Sequence, residues 1–425
     1  GYEDKKSRKD AKGRKRKEDR KGRIKSFQKF ENMIPKYRKE FNRLFTAEKY
    51  QRIQQLVRES CGADCGFRLS ESPVFLTSDF KNKLISACNS IVEQIKSMSP
   101  EELSKAIPKN HIVPNDTKKP HFLAIDFGIC KDENGGISPK LIELQGFPSL
   151  YGFKKLYEQM LIDTYPFLDE VRHTISMDEY FEKLKNIILA DENPENVILM
   201  EIHPEKQKTY VDFRATQKML GVPIVDLADV KKSGRELYYK DGNKKIPIRR
   251  IYNRVIFDEL DRIPDLKTNF DFRDDLDMEW VTHPNWFFKI SKYILPKLKH
   301  EFVPKSYFLN EFPGAENMSE YVLKPLFSFA GSGIDLNPTK QKIDQISDPE
   351  NFIMQRKVSY EPLFEDNRGG FSKAEIRMLF LWNPEAENPE WVINLVRMTK
   401  AAMVNVDFNR KDAIWIGSSM AFFDE

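Results

Sequence analysis

The chain has 425 residues, 40% of them hydrophobic, 12% aromatic and 32% charged, which suffices for a large core and suggests about two to three domains. No run of about 18 apolar residues occurs and the first residues are highly charged, so neither a membrane span nor a secretory signal is expected. Its four cysteines, Cys61, Cys65, Cys88 and Cys130, are too sparse for a disulfide framework or a zinc site, and a reducing, cytoplasmic setting with free thiols is expected.

The formal net charge of +4 is unevenly spread. Residues 1–25 carry 13 Lys+Arg against 5 Asp+Glu, a net +8, which leaves −4 on the other 400 residues. A run such as Lys12–Lys17 has no apolar residue to bury. Residues 1–26 are therefore expected to form a solvated basic tail, making at most weak contact with nucleic-acid phosphates.

Between Phe27 and Ser60, apolar residues recur at three and four positions (Tyr37, Phe41, Leu44, then Ile53, Leu56, Val57), predicting helix interrupted near Pro35. A second amphipathic helix is expected over Ser78–Ser97. The run His121–Cys130, the turn Asp132–Gly136 and the run Lys140–Gln145 predict an antiparallel hairpin. From Val197 the pattern alternates: strand Val197–Ile202, helix Thr209–Leu220, strand Val222–Asp226, as in a βαβ unit. Glu236–Lys240, a turn at Asp241-Gly242 and a strand Ile246–Tyr252 follow, then a helix over Trp286–Lys299. Further strands are expected over Glu320–Leu326, Phe352–Gln355, Ala374–Trp382 and Trp391–Met398.

Three features carry candidate chemistry. In Tyr321–Gly333 a strand delivers Lys324 and opens into a loop of small residues, Ser328, Ala330, Gly331, Ser332 and Gly333. Backbone N–H groups freed by glycine and a strand lysine suit a polyphosphate; a plain hairpin turn is the competing account. Asp126 with Glu143 and Gln145 places three oxygen donors on one face of the hairpin, a set that suits Mg²⁺, against an ordinary solvated strand face. Glu375 and Arg377 share a face of one strand and Arg397 ends the next; arginines converging there can neutralise a transferred phosphoryl group, against a surface ion pair between Glu375 and Arg377.

In this order, Asp126, Glu143-x-Gln145, a Rossmann-like middle, VLKP, a glycine loop, Gln355-Arg-Lys, Glu-x-Arg and a late Arg resemble a circularly permuted ATP-grasp protein of the glutathionylspermidine synthase group and its uncharacterised relatives. The resemblance spans roughly residues 120–425. It implies an α/β fold with an inserted Rossmann-like domain: a helical segment 27–118, a metal-ligand half 119–177, the Rossmann-like domain 178–270 and an ATP-binding half 271–425. It further implies ATP and Mg²⁺, with the metal held by Asp126, Glu143 and Gln145.

On the same resemblance, Lys324 contacts ATP phosphate or adenine N7, Lys292 is a second ATP-contacting lysine and Ser328–Gly333 cover the phosphates. Gln355, Arg356 and Lys357 read adenine through the strand exit, and Glu361 meets the ribose. Arg377 and Arg397 stabilise phosphoryl charge, while Arg249, Arg250 and Arg254 either receive an acidic substrate or serve the fold. The implied activity is an ATP-dependent carboxylate–amine ligase acting through an acyl phosphate on small-molecule or peptide substrates. The alternative is a catalytically silent nucleotide-binding module. Two positions depart from the pattern: Gln145 stands where the family carries Asn, and Ala124 where the glutathionylspermidine synthases carry Arg. Asp126 and Lys324 are expected to sit in a solvated cleft.

Overall fold

Asp126 and Glu143 lie on adjacent strands of a six-stranded antiparallel sheet, and the rest of the chain is arranged around it. The computed structural model describes residues 35–314, 317–328, 332–366, 368–401 and 413–424; the basic tail, Ala330 and Gly331 lie outside them. Across the sheet the strands run Gly417–Ser419, Glu390–Thr399, Phe371–Leu381, Phe122–Lys131 and Ile137–Gln145, with Phe364–Glu365 paired to the start of the Phe371 strand. The turn at Asp132–Gly136 closes the expected hairpin, the Asp132 carboxylate accepting from the N–H groups of Asn134 and Gly136.

Strand alternation gives the sheet two apolar faces. One carries Leu123, Ile125, Phe127, Leu144, Ile376 and Met378 against Phe80, Leu84, Cys88 and Ile91 of the helix Ser78–Ser97. That helix falls where the periodicity put it, with the Thr77 hydroxyl accepting from the Phe80 N–H at 3.3 Å as its cap. The other face carries Phe122, Ala124, Leu379, Leu381 and Leu395 against the helices Ala47–Cys61 and Tyr151–Thr164. Each such side chain, fully buried, contributes about 1.5–3 kcal/mol relative to exposure.

Several elements differ from expectation. A helical break falls at Phe45–Thr46, where Thr46 caps Ala47–Cys61; the expected break near Pro35 lies at the edge of the described residues, which begin with the helix Pro35–Leu44. The helix Tyr151–Thr164 has no sequence signal of its own: it lacks a side-chain cap, and the Asp212 carboxylate supplies one by accepting from Leu150 N and Phe153 N, both at 2.9 Å. A Cβ on Gly152 would come within 2.6 Å of the Thr216 hydroxyl, so glycine permits the close packing of these two helices.

The middle of the chain forms a four-stranded parallel sheet in the order Glu279–Val281, Arg250–Asn253, Val197–Glu201, Ile224–Asp226, with the helix Tyr210–Leu220 linking the last two. The expected single strand Ile246–Tyr252 is two: Lys244–Ile248 closes an antiparallel meander and Arg250–Asn253 enters the parallel sheet. A further sheet pairs Ser306–Phe308, Phe352–Arg356 and Tyr321–Pro325 antiparallel. The expected helix Trp286–Lys299 is broken into Trp286–Lys289 and a 3-10 turn Lys292–Lys297 holding Pro296, which has no N–H to continue an α-helix. Among the described residues, no helix is long and apolar enough to cross a membrane.

Candidate functional site

The face that is apolar at Phe122, Ala124, Leu379 and Leu395 becomes charged two residues further along each strand. Register does this: Asp126 sits opposite Arg377 on one side and Glu143 on the other, and Glu375 opposite Arg397. A bulge takes Ile142 out of the ladder, since Asp126 pairs with Glu143 but Phe127 pairs with Leu141. The extra residue lets Leu141 and Leu144 both face the apolar layer while Glu143 and Gln145 face the site.

Asp126 is fully buried, which corrects the expectation of a solvated cleft. Its carboxylate accepts Arg377 Nε at 2.7 Å and Arg377 Nη2 at 2.6 Å, together with Arg397 Nη2 at 2.8 Å. Arg397 also donates to Glu375 at 3.0 Å, and the Tyr360 hydroxyl donates to the same carboxylate. The surface pair Glu375–Arg377 is therefore not formed. Each residue bonds across the sheet instead, where neighbours lie closer than residues two apart on one strand. Tyr360 carried no sequence signal. Its ring fits because residue 128 is glycine: a Cβ there would come within 2.8 Å of Tyr360 Cε1.

Two lysines complete the cluster from outside the central sheet. Lys324, on the Tyr321 strand, reaches the Ile142 carbonyl freed by the bulge at 3.4 Å. Lys292 lies 3.6 Å from Glu143 and donates to the Ser328 carbonyl at 3.1 Å. Both lysines are buried. Gln145 donates to Glu143 at 2.9 Å, and Arg377 lies 3.7 Å from the same carboxylate. Burial pushes Lys324 down to about 8, with Lys292 adding to the effect and Glu143 and Glu375 opposing it. Burial alone would raise Glu143, but Lys292, Arg397, Arg377 and Lys324 outweigh it and hold the carboxyl down to about 2. Arg397 is raised, because Glu375, Asp126 and Glu143 overcome its burial.

Glu143, Gln145, Phe147, Phe287, Lys292 and Ser328 line a small cavity of about 40 Å³. Gln355, two positions from Ile353 and so on the same face of its strand, is buried with its Nε2 unpartnered; Ser328 Oγ and Arg397 Nε are likewise buried without a partner. Arg356 and Lys357 are not in the cluster. They are exposed and border an open groove of about 880 Å³ with Lys140, Lys305 and Val358. Glu361 is tied by its N–H to the Ile129 carbonyl at 3.1 Å, and Ser332 and Gly333 are both exposed.

Of the three further arginines, Arg250 spends its guanidinium on the Ile187 and Ile188 carbonyls and on Glu279, which is a structural use. Arg249 is exposed in the link between two sheets. Arg254 lies 4.8 Å above the Phe147 ring and donates to the Pro148 carbonyl at 2.9 Å, beside the cavity.

Phosphate oxygens fit this donor-rich arrangement. The three-residue metal set does not fit a divalent ion: both Asp126 oxygens are held by guanidinium groups, and stripping one partner from such a buried pair costs about 3–5 kcal/mol. Only Glu143 with the Gln145 amide remains as an oxygen pair. Among the described residues, no group of three or more His, Cys, Asp or Glu side chains has an arrangement that could hold a metal.

No protein-family model and no curated protein matches the chain. A solved structure described as a glutathione synthetase-like effector from Globodera pallida, in its apo form, superposes with a TM-score of 0.56 at 12% sequence identity. The match covers 88% of this chain and 96% of that one. The likeness is one of fold: mixed α/β, with several sheets in a common arrangement.

Proposed function

We propose that the protein is an ATP-dependent carboxylate–amine ligase of circularly permuted ATP-grasp type. The carrying observation is the convergence of Lys292, Lys324, Arg377 and Arg397 from four separate segments on one end of the central sheet. The fold-level likeness to a glutathione synthetase-like protein supports the same reading. ATP, when bound, would supply the phosphoryl group that turns a carboxylate into an acyl phosphate open to amine attack.

The chain's own part is binding, orientation and charge neutralisation. Lys292 and Lys324 hold phosphate oxygens, and Arg377 and Arg397, fixed in place by carboxylates, face the charge that develops on transfer. Burial strengthens each of these interactions and keeps water from the activated carboxylate. No side-chain nucleophile is needed. Arg254, at the Phe147 edge of the cavity, is the best placed of the three arginines to meet an acidic substrate.

A second reading, a nucleotide-binding module without turnover, is favoured by one observation: Asp126 is closed off by its arginines. Thermal denaturation with a non-hydrolysable ATP analogue tests binding. At about 100 times its Kd the ligand stabilises by about 2.7 kcal/mol, and Lys324→Ala removes that shift. No shift in the wild type defeats both readings; a shift without ADP release across a panel of acids and amines leaves the second.

A further inference from the structure

We infer that Asp126 is a positioning residue for Arg377 and Arg397 rather than a metal ligand, and that the cleft takes a phosphate chain directly on its cations. The inference rests on the nucleotide reading above and deepens it. Asp126 has no exposed surface, and its two oxygens accept three guanidinium N–H bonds between 2.6 and 2.8 Å. Three of its roughly four lone-pair sites are then taken, so without losing an arginine it has at most one left for an ion, on Oδ1 beside the Arg377 guanidinium. Arg397 is gripped from the other side by Glu375, itself held by Tyr360. The carboxylates thus aim the guanidinium groups.

Charge points the same way. Lys292, Lys324, Arg377 and Arg397 face three carboxylates, Asp126, Glu143 and Glu375, so the cluster is one positive charge in surplus before any ligand arrives. A dication enlarges that surplus; a phosphate chain removes it. The unpartnered buried atoms also suit an anion. Arg397 Nε and Gln355 Nε2 are donors only, and Ser328 Oγ can donate. Gln145 turns its NH₂ to Glu143, as it must, since an ionised carboxylate only accepts.

The test is calorimetric titration of the full chain with inorganic tripolyphosphate, in EDTA and again in saturating Mg²⁺. The component that counts is the one lost in Lys324→Ala, which separates the cleft from the basic residues 1–25. In the wild type that component binds in EDTA with an affinity within about tenfold of its value in Mg²⁺, and Asp126→Asn leaves the ratio between the two buffers unchanged whatever it does to the affinities. A purely structural loss would not alter that ratio, whereas loss of a metal ligand would. Enhancement by Mg²⁺ of about tenfold or more overturns the inference, and its disappearance in Asp126→Asn returns Asp126 to a metal set. The wild-type comparison stands alone if Asp126→Asn does not fold. No component sensitive to Lys324→Ala in either buffer overturns the nucleotide reading itself.

Discussion

Two ends of one sheet face share the same strands and the same alternation yet do different work. At one end Phe122, Ala124, Leu379 and Leu395 are sealed by the helix Tyr151–Thr164, whose Tyr151 hydroxyl donates to the Leu123 and Phe380 carbonyls at 3.1 and 2.8 Å. At the other, Asp126, Glu375 and Arg377 are almost as buried, Glu143 and Arg397 are half-buried, and the group is held by charge-assisted hydrogen bonds. The apolar end gains from any well-shaped neighbour. The charged end is stable only while every partner is present, so it specifies one arrangement and punishes its loss.

Substitutions that exchange the character of the two ends sharpen this contrast. Asp126→Leu leaves the buried Arg377 and the half-buried Arg397 each short of a partner and is expected to cost about 3–5 kcal/mol in urea denaturation. Leu379→Ala at the apolar end costs about 2–5 kcal/mol through its cavity, but leaves tripolyphosphate affinity as in the wild type. Equal loss of affinity in the two variants would erase the distinction. Tyr360→Phe removes one hydrogen bond to a charged group, about 1.5–3 kcal/mol, with the effect falling on the orientation of Arg397.

Two pH effects are smaller. Glu143 is held down to about 2 from an ordinary 4.5, so its stabilisation is complete above about pH 4.5 and is lost as pH falls toward 2; Glu143→Gln should flatten acid denaturation in that window. Lys324 is pushed down to about 8, so anion affinity measured by calorimetry should fall as pH rises through about 8. Lys324→Arg, whose guanidinium stays charged, should remove that fall.

The helix Ser78–Ser97 is legible from its period of 3.6 and its cap, the hairpin Phe122–Gln145 from two apolar runs about a recognisable turn, and the strands carrying Arg377 and Arg397 from stretches that alternate or run apolar. The helix Tyr151–Thr164 is not, because its cap comes from Asp212 and its burial on nearly all sides leaves no amphipathic stripe. The split of Ile246–Tyr252 is not legible, because a continuous β-pattern does not say which of two sheets each half joins.

For the candidate site, the residue types and their faces were set by sequence: Asp126, Glu143, Gln145, Lys324, Arg377 and Arg397 each sit on a strand whose alternation fixes the side they point to. Which of them pair was decided only by tertiary structure. Cross-strand register joined Arg377 to Asp126 and Arg397 to Glu375, the Ile142 bulge gave Lys324 its carbonyl, and Gly128 made room for Tyr360. The physical reason is range. Alternation is a local property of the backbone, whereas the pairing of charges depends on distances of a few ångströms between segments up to 271 residues apart in the chain.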